Sequence, residues 1–135
     1  MSECIFCKII KGEIPNYTIY ENDFVLAFLD IHPHALGHTV VIPKKHIENL
    51  AEINEEDFKS LMAGIRQTVI ILKEKLNPMG FNVGLNDGLT AGQVIAHMHW
   101  HIFPRFKDDG GGSMHSIINN KGKLEVEEIA KLFKN

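Results

Sequence analysis

Three histidines, His97, His99 and His101, alternate with apolar residues in the segment HMHWHIF. At the two-residue period of a β-strand they share one face with Phe103, and successive imidazoles lie about 7 Å apart. The opposite face is apolar and carries Met98, Trp100 and Ile102. Such a row of imidazoles suits two chemistries. One is a catalytic zinc bound by the histidines, and the other is metal-free handling of phosphate with a neutral imidazole as nucleophile.

The loop that precedes the histidines, DGLTAGQ at 87–93, bears on this choice. Its glycines allow backbone N–H groups to approach an anion closely. The loop therefore favours the phosphate alternative, while the spacing of the histidines by itself leaves the zinc alternative open.

Composition excludes several other classes of protein. The 135 residues include 14 Lys+Arg and 17 Asp+Glu, a net charge of -3, whereas an electrostatic nucleic-acid binder shows a basic excess. No apolar run approaches the length of a membrane span, and the first residues lack the pattern of a signal peptide. The two cysteines, without a secretory context, indicate a reducing compartment. We therefore expect a cytoplasmic protein that binds neither nucleic acid nor membrane.

The cysteines themselves form the pair Cys4-x-x-Cys7. A structural zinc site needs two further ligands, so this motif alone is a weak zinc signal. Two reduced, buried cysteines are the simpler alternative.

The elements that position these residues can be predicted from local patterns. Residues 17–22 and 24–30 predict a β-hairpin, and residues 38–43 predict a third strand that ends at Pro43. Apolar residues at steps of three and four predict an amphipathic helix from Asn54 to Leu76, with Asn54 as its N-cap.

The second half of the chain predicts two more strands. Residues 80–86 form the fourth, and residues 96–104 form the histidine-bearing fifth. A loop follows, and a short helix around Val126–Phe133 ends the chain. We predict an α+β fold with a mainly antiparallel sheet of about five strands, one long helix and short terminal helices. Residues 1–135 would form a single domain, with a core at 4–105 and a C-terminal loop and helix at 106–135.

The segment from His97 to Phe103 resembles the His-φ-His-φ-His-φ-φ signature of the histidine triad (HIT) nucleotide-binding proteins. Further blocks similar to that family occur in its order: FCKIIKGEIP, LAFLDIHP, GHTVVIPKKHI and the AGQ before the triad. Together they cover most of residues 4 to 105, so the resemblance is not confined to one motif.

The resemblance implies a nucleotide hydrolase or nucleotidyl transferase that acts at an α-phosphate. His99 would attack phosphorus and form a covalent nucleotidyl-histidine, with its other ring nitrogen donating to the carbonyl of His97. His101 would contact the phosphate and leaving group, and His38 would support the triad. The substrate-binding residues carried over are Phe6, Ile9, Phe28, Asp30, Ile31, Asn86, Gly92 and Gln93, with Ile5 a weaker candidate.

The resemblance also implies a structural zinc, held by Cys4, Cys7, His46 and His97, and a homodimer. We expect no organic cofactor and a small-molecule nucleotide as substrate, either a nucleoside phosphoramidate or a dinucleoside polyphosphate. Two alternatives remain: a zinc-dependent hydrolase that uses the three strand histidines as ligands, and a nucleotide-binding adaptor with incidental turnover.

Some positions depart from the family's pattern or have no role in it. Val94 stands where purine phosphoramidases carry a serine, and the ending Phe103-Pro104-Arg105 is more similar to dinucleoside-polyphosphate hydrolases and many bacterial members. The third histidine, His101, is not the glutamine of the family's uridylyltransferases, which favours hydrolysis. His32 and His34 are expected in a solvated loop, and His115 at the surface.

Overall fold

The computed structural model describes residues 3–134 and contains a five-stranded sheet with two helices packed on its faces. The strands are β1 (Thr18–Glu21), β2 (Val25–Leu29), β3 (Thr39–Pro43), β4 (Gly80–Leu85) and β5 (Trp100–Arg105). The helices are α1 (Ile5–Ile10), α2 (Glu55–Leu76) and α3 (Val126–Lys131). Every neighbouring pair in the order β1-β2-β3-β5-β4 is antiparallel. The predicted α+β class, antiparallel sheet and five strands are confirmed.

Helix α2 lies within one residue of its predicted bounds because both of its ends are determined locally. The Asn54 side chain accepts a hydrogen bond of 2.8 Å from the Asp57 N–H at the N-cap. At the other end Asn77 adopts a left-handed conformation with φ of 51°, which ends the helix, and Pro78 follows. The β1–β2 turn is equally local, since the Asn22 side chain accepts the N–H groups of Phe24 and Val25 at 2.8 Å.

Alternation along the central strands divides the core into two layers. The side chains on one face pack with Leu61, Ile65 and Leu72 of α2, and those on the other face pack with Phe6 and Ile9 of α1. The first layer includes Val25, Ala27, Val41, Met98 and Ile102, and the second includes Leu26, Phe28, Val40 and Ile42. Burying both faces of β2 and β3 holds these strands rigidly at the centre.

The histidine-bearing strand begins later than predicted. We expected it from Ala96, but β5 begins at Trp100, so His97 and His99 lie in an irregular segment before it. In the β3–β5 register Val41 pairs with Trp100, so a longer strand would place His99 opposite Ile42 and Met98 opposite Pro43, which has no N–H to donate. The Met98 N–H instead donates to the Ile47 carbonyl at 2.6 Å, in the loop after β3.

The C-terminal segment differs in character from the rest of the chain. Residues 107–134 are exposed throughout, including all of α3. Helix α3 carries a reciprocal capping box between Glu125 and Glu128, which stabilises it locally. Within residues 3–134 no helix combines the length and apolar character needed to cross a bilayer.

Candidate functional site

The three histidines of the motif lie next to each other on the α1 side of the sheet, and each ring has a defined backbone or histidine partner. The His99 Nδ1 lies 2.9 Å from the His97 carbonyl oxygen. A carbonyl only accepts, so the proton of neutral His99 resides on Nδ1 and its Nε2 carries a free lone pair. This is the arrangement that a nucleophilic imidazole requires.

His101 is paired with His38, which is 2% exposed and precedes β3. The His34 backbone N–H donates to His38 Nδ1 at 3.2 Å, so the proton of neutral His38 resides on Nε2. That Nε2–H donates to His101 Nδ1 at 2.9 Å. His101 in turn holds its own proton on Nε2, where it is a hydrogen-bond donor beside the nucleophile.

The first histidine, His97, faces a different cluster. Its Nε2–H donates to the Pro43 carbonyl at 2.8 Å, which leaves the lone pair on Nδ1. That Nδ1 lies 3.5 Å from Cys4 Sγ, 3.7 Å from Cys7 Sγ and 3.2 Å from His46 Nδ1. Cys7 Sγ and His46 Nδ1 are 3.3 Å apart. The four residues that the sequence nominated as metal ligands therefore converge.

These separations fit a tetrahedral metal. With Zn–S near 2.3 Å and Zn–N near 2.0–2.1 Å, neighbouring ligand atoms of a tetrahedron lie about 3.3–3.8 Å apart. The Pro43 carbonyl orients His97 in the way that carbonyl acceptors orient zinc-bound imidazoles. The donor set and its geometry fit zinc, and all four positions would be protein ligands, as in a structural site.

A zinc held by the three motif histidines does not fit this geometry. Among residues 3–134, the groups able to share a metal place His97 with the cysteines and His101 with Asp30 and His38, while His99 belongs to neither. The Asp30–His38–His101 group is itself a poor metal site, because His38 Nδ1 accepts a backbone N–H and a neutral ring would have to give up its Nε2 proton.

Burial lowers the pKa values of three histidines of the site. It lowers the pKa of His101 to about 4, with the nearby His99 and His38 adding to the effect. The pKa values of His38 and His97 are also lowered, and burial is the largest cause for both. Charging a buried imidazole beside other imidazoles is unfavourable. His38, His97 and His101 are therefore uncharged donors and acceptors at neutral pH.

The apolar residues predicted to contact the base are brought to the same side of the sheet. The Phe6 ring lies 5.0 Å from the His99 ring, 5.7 Å from the His97 ring and 6.0 Å from the Phe28 ring, measured between centroids. Ile9 and Phe28 are buried with Phe6 in one cluster. Ile31 differs, since 71% of it is exposed, and Ile5 is 44% exposed.

The polar candidates divide into two groups. Asp30 and Asn86 line a cavity beside His101, and Asn86 packs against Gly92, whose φ of 105° suits only glycine. The Gln93 side chain is held by backbone groups of the chain itself. Its amide donates to the Glu48 and Ile95 carbonyls at 3.1 Å and accepts the Gly88 N–H at 2.8 Å, so both its donors already hold the loop.

The cavity beside His101 contains residues that sequence reasoning did not assign. It has a volume of about 900 Å³ and lies between the β4–β5 surface and the C-terminal segment. His34 lines it from the exposed loop in which it was expected, and its ring stacks on that of His38 with a centroid distance of 5.9 Å. Phe103 lies against His38 at 4.3 Å. The sequence could have identified Phe103 as a site residue, because the two-residue period places it on the same strand face as the three histidines.

Arg105 anchors the wall of this cavity. Its guanidinium donates to both carboxylate oxygens of Asp109 at 2.8 and 2.9 Å and to the Asn82 side chain at 2.6 Å. The Gly112 carbonyl accepts a further bond. These bonds hold the loop that leads to Met114, which lies over Gly84 of β4. The remaining histidines, His32 and His115, have exposed side chains, as expected.

A HIT domain model matches residues 11–108 of the chain. The chain belongs to the HIT family. It is 44% identical to an uncharacterized HIT-like protein of Methanocaldococcus jannaschii, over 97% of this chain and 98% of that protein. It is 37% identical to an adenosine 5'-monophosphoramidase of Schizosaccharomyces pombe, over 80% and 78% of the two chains. The crystal structure of a HIT family member from Bacillus subtilis superposes with a TM-score of 0.83 at 39% identity, covering 96% of this chain and 92% of that one.

The lowered pKa values predict how stability depends on pH. An unfolded histidine titrates near 6.5, whereas folded His101 titrates near 4, so between these values the unfolded state binds more protons. The free energy of unfolding should therefore fall as the pH is lowered from about 6.5 to about 4, by up to about 3 kcal/mol for His101. Urea unfolding at pH 7 and pH 4.5 measures this, and the loss should be smaller in His101→Asn. An equal loss in both proteins contradicts the assignment.

Proposed function

We propose that this HIT family hydrolase cleaves nucleotides at the α-phosphate through a covalent nucleotidyl-His99 intermediate. The observation that carries the proposal is the bond from His99 Nδ1–H to the His97 carbonyl, which leaves Nε2 as a nucleophile. His99 Nε2 forms a bond to phosphorus as the bond to the leaving group breaks. Water then attacks phosphorus, the N–P bond breaks, and the nucleoside monophosphate departs.

The neighbouring histidines would stabilise this transfer without carrying charge. His101 Nε2–H would donate to a phosphoryl oxygen or to the leaving group, and His38 fixes that proton through the 2.9 Å bond. The row of hydrogen bonds that runs from His101 through His38 ends on the backbone N–H of His34, and this group does not release a proton at neutral pH. The pair therefore orients a donor and does not feed protons to the site, so a departing amine must already be protonated on the nitrogen bound to phosphorus when the P–N bond breaks.

The charge around the cavity favours an amine leaving group over a polyphosphate. Arg105 is engaged by Asp109, and burial lowers the pKa values of His38 and His101, so Lys107 and Asp30 are the charged side chains of the described lining without a close partner of opposite charge there. A polyphosphate would bring several negative charges to a surface with no excess of cations. The apolar lining, with Phe103, Met114 and Ile117, suits the body of an alkyl or aromatic amine. We therefore propose nucleoside phosphoramidates as substrates.

The relative from Schizosaccharomyces pombe supports this choice, since it is named an adenosine 5'-monophosphoramidase. No feature of the described site specifically supports the alternative of a nucleotide-binding adaptor with incidental turnover. The geometry of a prepared nucleophile and an ordered donor is more than nucleotide binding alone requires.

We also propose that Cys4, Cys7, His46 and His97 hold a structural zinc, on the fit of their separations to a tetrahedral site. The metal would supply a cross-link between α1, the loop after β3 and the segment that carries the triad. Because the His97 carbonyl orients His99, the cross-link would stabilise the position of the nucleophile. It would take no part in bond breaking.

Replacing the nucleophile tests the covalent mechanism. His99→Asn should lower kcat by at least about a thousandfold, since no other free imidazole lone pair faces the phosphate, while AMP still binds. Turnover of an adenosine phosphoramidate and calorimetric titration of AMP measure the two effects. His32→Asn is the matched control at an exposed loop histidine and should retain full activity. Substantial turnover by His99→Asn would refute the covalent role.

The leaving-group proposal predicts an order of substrates. Adenosine phosphoramidates with an apolar amine should show kcat/KM at least about tenfold higher than diadenosine polyphosphates, because the cavity has no surplus cation for a polyphosphate. Parallel assays with the same protein preparation measure the ratio. A preference for the polyphosphates would overturn this part of the proposal and leave the role of His99 intact.

The zinc proposal predicts one metal per chain by elemental analysis, and its loss in Cys4→Ser/Cys7→Ser. Protein prepared in the presence of zinc and found free of it contradicts the site. Catalysis provides a second measurement, because chelation should leave kcat at saturating nucleotide largely intact if the fold survives, whereas a catalytic zinc would be indispensable.

We further propose a homodimer, in line with the family resemblance. Strand β4 is an edge of the described sheet, and edge strands present unpaired backbone groups. The exposed C-terminal segment carries large apolar side chains, such as Phe133, which is 80% exposed. Light scattering should give twice the 15.3 kDa mass of the chain, and a monomer at micromolar concentration would refute the proposal.

A further inference from the structure

The Cys4–Cys7 pair has a property that a purely structural zinc site does not need. Both thiols are only partly buried, and their sulfur atoms lie within 4.8 Å of one another. The Cys7 N–H donates to Cys4 Sγ at 3.4 Å, so the two side chains already meet on one turn of chain. They are also the only cysteines of the protein.

The two sulfur atoms are near enough for a disulfide to be considered. They lie within 4.8 Å of one another, and the Cys4 side chain faces the helical turn that carries Cys7. A disulfide brings two sulfur atoms to about 2.05 Å, so closing the bond requires rotation of the two side chains. A small oxidant can therefore reach these two zinc ligands, and their sulfur atoms can form a disulfide with each other.

We propose that Cys4 and Cys7 are a reversible oxidation site for hydroperoxides that controls the nucleotide site. The inference rests on the zinc site proposed above. One thiolate attacks the terminal oxygen of the peroxide: an S–O bond forms, the O–O bond breaks, and hydroxide leaves from hydrogen peroxide or an alkoxide from an organic hydroperoxide. The second thiolate then displaces hydroxide from the resulting sulfenic acid, and an S–S bond forms. Two electrons pass from the sulfurs to the peroxide, and two of the four zinc ligands are lost, so the metal departs as Zn²⁺.

The contacts of α1 carry the effect to the nucleotide site. Cys4 is the N-cap of α1, and Cys7 lies in its first turn, on either side of Phe6. The Phe6 ring contacts the rings of both His97 and His99. Once the disulfide forms, α1 is no longer linked through the metal to His46 and His97. Phe6 and Ile9 remain buried, so we expect α1 to become more mobile without unfolding.

The test follows metal, thiols and nucleotide binding in the zinc-loaded protein as hydrogen peroxide is added. Peroxide should release the zinc to a chromogenic chelator, remove both thiols with a mass decrease of two hydrogen atoms, and weaken AMP binding about tenfold. Dithiothreitol with added zinc should restore all three. The Cys4→Ser/Cys7→Ser variant controls for methionine oxidation, and its AMP affinity should not respond to peroxide. If that variant fails to fold, Cys7→Ser alone serves, since it cannot form the internal disulfide.

The outcomes separate the two proposals. Protein that contains no zinc before peroxide is added overturns both the zinc site and the switch. Zinc that is present but retained when the thiols are challenged overturns only the switch. Disulfide formation and zinc release with unchanged AMP affinity also overturn the switch, while the zinc site stands.

Discussion

The chemistry of this protein depends on where the protons of its neutral imidazoles are held. A carbonyl accepts from His99 and another accepts from His97, while a backbone N–H donates to His38. Each contact allows one tautomer, so the chain presents a lone pair at His99 Nε2, a lone pair at His97 Nδ1 and a donor at His101. Burial reinforces the arrangement, because it lowers the pKa of His101 to about 4 and keeps that ring uncharged.

His97 connects this arrangement to the cysteine cluster. Its ring faces Cys4, Cys7 and His46, while its carbonyl holds His99 in place. One residue therefore contributes its side chain to one site and its backbone to the other. The irregular backbone before β5 makes this possible, since a regular strand would commit the His97 carbonyl to a ladder hydrogen bond or to solvent.

The cavity next to His101 has a different origin from the triad. Strands β4 and β5 supply its floor, and the C-terminal segment supplies the far wall, held by the bidentate pair of Arg105 and Asp109. That pair also neutralises the charge of Arg105 within the cavity wall. In the function that we propose, the triad prepares the reacting atoms, whereas the cavity lined by this exposed segment provides the selectivity for the leaving group.

The sequence by itself determined those features whose causes are local. The Asn54 side chain caps the start of α2, and the left-handed backbone of Asn77 ends it. The alternation of residues along the strand placed Phe103 on the same face as the histidines. The family motifs nominated the four residues that converge on the proposed zinc site. These predictions needed no knowledge of distant contacts.

Only the tertiary structure decided the features that depend on partners far along the chain. Strand β5 begins at Trp100 and not at Ala96 as predicted, because the Met98 N–H donates to the carbonyl of Ile47, fifty-one positions away in the sequence. Gln93 proved to be committed to backbone carbonyls, and Arg105 to Asp109, through bonds that composition and periodicity do not encode. A side chain's chemistry is fixed by its residue type, but its free donors and lone pairs depend on which groups the fold places beside it.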